Sequence, residues 1–456
     1  MEKKSFQEAF EMINVPKEDV INAIRNGRDR AYLNERKKSI KKILWSTAAA
    51  TILVSSSFIS PSLSKVMAEV PLLGNVYTTF NDTIGRSLES KSLITELNKS
   101  ASFNGIDVSI TNAYYDGGVV GVTFNVKGNM KVEKNGKLVG FYQIFDGKDD
   151  KSDSKELVYM EPSENGYVGH IQLSYPQTQL PSNTTFPLEF NRIGEQEGSW
   201  KFDVPIKQLP YVIKKVDKES IQDIAGVKVH FDSVIKGKAS TAINYTATFP
   251  VEGRNDQVRL EIYDDKGKKI NISKDGIDLE TFKLNDKIVV KGRSIIPESL
   301  DGKTSYIEVH PKVALSERSQ FVGLNEPMPV NIKASRQDLF VQIDKISVNN
   351  NKNLRVDFQV NKGVKKDWNF EFFKDFARTD VILVKKTEKD IYKEPINHSL
   401  ETVNKDGLRF RSTFDISKLN DFSLNNYVIR VNMGSLSSNI PVELDDVRID
   451  LNELPN

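Results

Sequence analysis

Three periodicities succeed one another along the chain. Over residues 1–42 apolar positions recur at helical spacing, Phe6, Phe10 and Ile13, then Val20, Ile21 and Ile24. Pro16 followed by Glu18 and Asp19 has the form of a helix start, with proline in the first turn and acids at the positive end of the dipole. From Ile43 to Leu63 the pattern becomes uncharged, with no Asp, Glu, Lys, Arg or His. About 20 such residues in a helix cross a bilayer core of ~30 Å. Beyond residue 100 the period drops to two, the signature of strands that bury one face.

The uncharged stretch is diluted by Ser46, Thr47, Thr51, Ser55, Ser56, Ser57, Ser60 and Ser62, hydroxyls that a membrane helix tolerates by bonding back to its own backbone. Arg25, Arg28, Arg30, Arg36, Lys37, Lys38, Lys41 and Lys42 precede it, whereas only Lys65 follows closely. The positive-inside rule then predicts a single-pass topology, residues 1–42 in the cytoplasm and the bulk after residue 64 outside the cell membrane. Val66 and Ala68 offer a cleavage-like small-residue pattern, but the basic region is long and the apolar run exceeds that of a signal peptide. A buried core helix fits neither the uncharged length nor the basic flank. Residues 64–100 are expected to form a juxtamembrane linker with helical turns at Phe80, Ile84 and Leu88 and at Leu93 and Leu97 that pack on the next domain.

The period-two region carries a threefold internal repeat. Its copies begin FNGIDVSITNAYYDGGVVGVTFNVKG at Phe103, IAGVKVHFDSVIKGKASTAINYTATFP at Ile224 and LFVQIDKISVNNNKNLRVDFQVNKG at Leu339. In each, an alternating strand (Ile106, Val108, Ile110; Val227, Val229, Phe231; Leu339, Val341, Ile343) is followed by another (Val120, Val122, Phe124, Val126; Ile243, Tyr245, Ala247, Phe249; Leu354, Val356, Phe358, Val360). The turns between them hold Asp116-Gly117-Gly118, Lys236-Gly237 and Asn349-Asn350-Asn351, residues that accept positive φ. Val108 to Val229 is 121 residues and Val229 to Val341 is 112, each the size of a β-sandwich domain. The copies also end alike, in SWKFDVPI, PMPVNI and SNIPVEL. The fold class predicted is mainly β: short N-terminal cytoplasmic helices, one transmembrane helix (43–63), then three tandem immunoglobulin-like sandwiches at 101–210, 215–333 and 337–450.

Composition narrows the chemistry. The chain of 456 residues has a formal charge of +2, but residues 1–42 hold 11 Lys and Arg against 7 Asp and Glu, so the remainder is net negative. The basic excess sits on the cytoplasmic flank, where topology and anionic lipid account for it without direct nucleic-acid binding. With no cysteine, disulfides, Cys-based zinc sites and thiol catalysis are excluded. His170, His230, His310 and His398 are scattered, and the first three sit in alternating strand patterns. No nucleophile elbow, phosphate loop or zinc-protease motif is present. Asp146, Asp149, Asp150 and Asp153 suggest calcium, but interleaved Lys148, Lys151 and Lys155 favour a solvated loop. Trp200 and Trp368 read as core, and Trp45 as an interfacial anchor. No catalytic, cofactor or metal residue is assigned, and the chain is not read as an enzyme.

Forty residues cannot close a core of their own, so the inner segment wants either a partner surface or the inner leaflet. Here a resemblance adds to the pattern. The inner NVPKEDVINAIRNGRDRA, the single apolar span, the VPLLGNVY after it and FNGIDVSITNAYYDGGVVGVTFNV resemble the bacterial membrane-protein family of domain of unknown function 4179. The later sandwiches resemble a module that often follows it, number 5643. That resemblance implies an anti-sigma factor of a Gram-positive bacterium, although the His-xxx-Cys-xx-Cys motif of the zinc-containing anti-sigma class is absent. The partner implied is an extracytoplasmic-function sigma factor held by Phe6, Phe10, Ile13, Val20, Ile21 and Ile24, with Arg25, Arg28 and Arg30 meeting its acidic surface. The ectodomain would sense an envelope or cell-wall ligand. A reading from a different class makes the chain a cell-surface adhesion or scaffold protein whose inner segment only anchors it.

Overall fold

The computed structural model describes residues 76–451 except 133–135, 145–155, 175–184, 224, 301–303, 350–351, 361–368 and 389–395. The chain divides into two units, 1–71 and 72–456, and all described residues belong to the second. The expected inner helices, the expected span at 43–63, Trp45, Trp368 and the acidic run at 146–153 lie outside the described residues. Among the described residues no helix is long and apolar enough to cross a membrane.

The chain is mainly β. After two short helices, α1 (Val76–Thr79) and α2 (Thr83–Ser90), the first region holds β1 (Thr95–Phe103), β2 (Ile106–Asp116), β3 (Val119–Lys127), β4 (Leu138–Ile144), β5 (Glu156–Ser163), β6 (Gly166–Ser174), β7 (Thr185–Ile193) and β8 (Gln196–Pro205). The second holds β9 (Val212–Gln222), β10 (Val227–Lys236), β11 (Thr241–Pro250), β12 (Gln257–Asp264), β13 (Lys269–Ile270), β14 (Lys274–Leu284), β15 (Lys287–Ile296) and β16 (Tyr306–Ala314). The third holds β17 (Gln320–Gly323), β18 (Val330–Lys333), β19 (Phe340–Asn349), β20 (Asn353–Val360), α3 (Phe370–Thr379), β21 (Val381–Lys385), β22 (His398–Asn404), β23 (Arg409–Asp415), β24 (Tyr427–Val431), α4 (Met433–Asn439), β25 (Val442–Glu443) and β26 (Val447–Asp450).

The repeat is real and deeper than its hydrophobic pattern. Its strand pairs form the antiparallel hairpins β2–β3, β10–β11 and β19–β20. The alternating apolar residues of all three are buried. Each hairpin carries a β-bulge at the same place, just after Ile110, Phe231 and Ile343. A bulge adds one residue to one strand and sharpens the local twist, so the copies share curvature as well as pairing. Each hairpin also sits in the same order of five strands, β1-β2-β3-β6-β5, β9-β10-β11-β15-β14 and β18-β19-β20-β23-β22.

The layer opposite differs between copies. Its central pair is β4–β7, β12–β16 or β21–β24. In the second and third regions that pair lies in a separate sheet, and side chains of both sheets share one core. In the first, β4 bonds to β5 instead, giving one continuous sheet of eight strands rather than two sheets. It curls until its end strands meet: Phe103 of β1 packs edge-on against Trp200 of β8, centroids 5.6 Å apart. Trp200 is buried, as its strand context predicts, and its indole N–H donates to Ile106 O at 3.0 Å.

The strand beside that pair overturns two expected boundaries. In the first region β8 follows β7 and pairs with it. The corresponding strand after β16 is β17, yet it pairs with β24 of the third region. The strands after β24, β25 and β26, return to pair with β16 of the second. The second and third regions thus exchange a strand within one chain. Leu444, Val447, Ile449 and Leu451 fill the second core, and Val322 and Leu324 fill the third. Residues 320–333 do not close the second sandwich, and residues 442–450 do not close the third. Period-two alternation fixes which face of a strand is buried but not which sheet receives it.

Candidate functional site

Residues 76–94, expected within a linker whose helical turns pack on the next domain, are folded onto the β-domains. Asp82 stands in extended backbone ahead of α2 and accepts the Gly85 N–H at 2.8 Å, a side-chain cap for the helix start. Ile84 and Leu88, one helical turn apart, are buried. The side chain of Tyr77, from α1, is buried as well, and Gly85 gives it room, because a Cβ there would overlap its ring.

Asp82 is the hub of a buried polar network on the outward face of β2, β3 and β6. Its Oδ2 accepts the Tyr114 hydroxyl at 2.8 Å and lies 2.9 Å from His170 Nε2. Its Oδ1 accepts the Gln172 side-chain amide at 2.8 Å, and that amide also reaches the Tyr114 oxygen at 3.0 Å. His170 Nδ1 lies 3.1 Å from Thr123 Oγ1. Sheet register brings these groups together: Tyr114 is opposite Gly121, Thr123 is opposite His170, and Gly121 is opposite Gln172. Gly121 is required because any side chain there would strike the Tyr114 ring.

Burial pushes the Asp82 carboxyl upward, but His170, through hydrogen bonding and charge, together with the Gly85 N–H and the Tyr114 hydroxyl, more than offsets it. The net direction is below the ordinary value of 3.8. Burial, reinforced by the Asp82 charge, pushes the Tyr114 phenol well up, and burial raises Tyr77 too. The order hydroxyl–imidazole–carboxylate in Thr123, His170 and Asp82 has the look of a nucleophile relay. However, the His170 and Asp82 side chains are 3% and 2% exposed, and Thr123 is buried. The arrangement therefore suits a clasp, holding one element against another through buried polar contacts.

The same helices reach the second region. Ile84 and Leu88 share an apolar cluster with Val119 of β3 and with Ile235 and Ile295 of the second sandwich. Lys91 Nζ donates to Lys238 O at 2.7 Å. Beneath them the β2–β3 turn is plugged into the β10–β11 turn. Asp116 accepts the N–H of Lys238 at 2.6 Å, the N–H of Ala239 at 2.9 Å and the Ser240 hydroxyl at 2.8 Å. Arg293, 1% exposed, donates to Gly118 O at 3.0 Å and to Asn244 Oδ1 at 2.7 Å. Burial lowers its guanidinium to about 10, which leaves it charged at neutral pH. A second joint ties the second and third regions, where Arg336 makes two hydrogen bonds to the buried Asp256 carboxylate at 2.7 and 2.8 Å.

The other histidines occupy more open positions. His230 lies 3.5–3.6 Å from Asp217, Glu219 and Asp232. His310 lies 2.9 Å from Asp446 and 3.6 Å from Glu308. Among the described residues Glu308, His310 and Asp446 form the group whose donor atoms, all within 4.8 Å of one another, could hold a metal ion. Both ring nitrogens of His310 already face carboxylates, and Arg448 stands opposite Glu308 in the sheet. Burial lowers the His398 imidazole.

The partner-binding residues expected from sequence, Phe6, Phe10, Ile13, Val20, Ile21, Ile24, Arg25, Arg28 and Arg30, lie outside the described residues. Sequence reasoning missed Asp82, Tyr114, His170 and Gln172 as a unit. A signal did exist: Thr123, His170 and Gln172 are polar residues at outward strand positions, and Asp82 directly precedes a short amphipathic helix.

Residues 35–128 match the model of a domain of unknown function (DUF4179), and residues 213–370 match that of a family of unknown function (DUF5643). The first match takes in α1, α2 and β1 to β3, and the second runs from β9 through β20. No curated protein matches the chain. Among solved structures, the conserved domain protein from Bacillus anthracis is similar at 16% identity and a TM-score of 0.38, over 51% of this chain and 82% of that one. The CupB6 tip adhesin from Pseudomonas aeruginosa is similar at 9% identity and a TM-score of 0.11, over 48% and 90%. At those scores neither likeness bears on the arrangement described above.

Proposed function

We propose that this chain is a single-pass membrane regulator of the anti-sigma type, with immunoglobulin-like modules outside the cell and a sigma-binding segment inside. The observation that carries the reading is the order of its parts. A basic amphipathic segment is followed by 21 uncharged residues and then by a large β-structure. The matched family models are consistent with that order and assign no activity. Residues 5–33, through Phe6, Phe10, Ile13, Val20, Ile21 and Ile24, hold an extracytoplasmic-function sigma factor at the membrane, and Arg25, Arg28 and Arg30 speed the encounter.

The clasp supplies the coupling element in this reading. A loose linker would absorb any movement of the ectodomain. Helices α1 and α2, fixed by the Asp82 network and wedged at the joint of two β-regions, pass such movement toward the span. Opening the clasp would also present residues 76–94 to proteolysis. The test is a pull-down from cell membranes with the intact chain beside one carrying Phe6, Phe10, Val20 and Ile24 changed to Ser. A sigma factor captured by the intact chain and lost in the variant is the expected result. Absence of any specific inner partner from both samples would move the function to the outer domains, as a surface adhesion or scaffold protein.

A further inference from the structure

Next to the clasp, the outward side of the first sheet changes from polar to apolar. Met160 of β5 pairs with Gly169 of β6, so Tyr159 follows beside His170 on the same side. Across β5 and β4 come the outward pairs Tyr159–Val139 and Leu157–Phe141. Leu157 is 43% exposed and Tyr159 51%. Arg192, paired with Phe141, lays its guanidinium over that ring at 5.4 Å, and a Lys137–Glu161 ion pair at 2.6 Å forms the far rim. An antiparallel sheet facing water alternates apolar-in and polar-out. A contiguous apolar patch with a polar rim marks an interaction surface.

We infer that this patch rests on the outer surface of the lipid bilayer. The inference rests on the membrane-anchored reading above. The chain reaches the sheet at Val76, and α1 packs there directly on β6: the Tyr77 and Phe80 ring centroids lie 5.5 and 6.0 Å from that of His170. The patch begins on the adjacent strand. From Leu63 to Val76 only 12 residues intervene, a tether of at most about 45 Å. The patch is therefore held within reach of the membrane surface for as long as the clasp is closed. Its residues are those that settle at headgroup depth. Tyr159 offers an amphipathic ring, Leu157 and Phe141 suit the acyl boundary, and Arg192 carries a charge that pairs with anionic lipid phosphates.

The absence of cysteine makes the test clean. The full chain, bearing either Tyr159→Cys or Val403→Cys labelled with an environment-sensitive dye, is reconstituted in phosphatidylcholine–phosphatidylglycerol vesicles with and without brominated acyl chains. Val403, on β22 of the third region and 48% exposed, is the control. The dye at 159 should shift to the blue and lose emission in brominated vesicles, while the dye at 403 does neither. Leu157→Ser combined with Tyr159→Cys should reduce that loss. A chain that floats with vesicles while its dye at 159 stays unquenched overturns the surface contact and leaves the anchor intact. A chain that fails to float overturns both. A blue shift that grows with protein density but ignores bromination overturns the lipid contact in favour of a second copy of the chain.

Discussion

A carboxylate buried among a histidine, a tyrosine, a glutamine and a helix N-terminus is stabilising only while every partner is present. Removing one polar partner of a buried carboxylate leaves it under-satisfied, at a cost of about 1–3 kcal/mol. His170→Ala should therefore lower stability by that order, read from denaturant midpoints. Amide exchange over residues 76–90 should accelerate more than exchange in the β19–β20 hairpin. Gly121→Ala should act on the same elements without touching the charge, because its methyl group displaces the Tyr114 ring; a loss of about 1–3 kcal/mol follows from such overpacking. The acid response has a definite sign. The folded Asp82 value lies below 3.8, so its stabilisation is complete above the unfolded value and is lost as pH falls through the folded one. The clasp should stay closed at neutral and mildly acid pH and loosen only below pH 3.8, with an exchange step over residues 76–90 that Asp82→Asn abolishes. None of this was visible at single positions, since a lone strand histidine is ordinary. It becomes legible only when register sets Thr123 opposite His170 and Gly121 opposite Tyr114.

Elements were more readable than their partners. Ile106, Val108 and Ile110 against Val120, Val122 and Phe124 announced a hairpin, as did the two later copies, because alternation and turn residues are local signals. The return of β25 and β26 to β16 was not readable: SNIPVEL looks like any closing strand, and the edge it fills lies 129 residues away, where Val442 pairs with Val313. The exchange makes a direct prediction. A chain ending at Ile440 keeps β17 to β24 but loses β25 and β26, and with them Leu444, Val447, Ile449 and Leu451 from the second core. Burying each such side chain contributes roughly 1.5–3 kcal/mol, and four together rival the ~5–15 kcal/mol that holds a whole domain. Hydrogen exchange should rise across β12 and β16 while β19 and β20 stay protected. Protection lost from the third region instead would contradict the exchange.

At the scale of the whole molecule, the question is which regions move together. The first and second share an apolar cluster that includes α2, together with the plug of Asp116 into the β10–β11 turn, so they should unfold as one cooperative unit in calorimetry. The third has its own core and meets the second through exchanged strands and the Arg336–Asp256 contact. Asp116→Asn isolates the first joint. One carboxylate oxygen faces the Lys238 N–H and the other faces the Ala239 N–H. Either orientation of an amide therefore sets its NH2 against a backbone donor and strands that donor. Leaving a buried donor unsatisfied costs about 1–3 kcal/mol, a loss confined to the joint because the substitution keeps the shape of the side chain. The single transition of the two regions should then separate into two, and exchange should quicken over α2 even though no residue of the clasp has changed. If exchange in α2 is unaffected, the helices read only the first sheet. They would then carry no signal from the second region, and the proposed coupling would run through the Asp82 network alone.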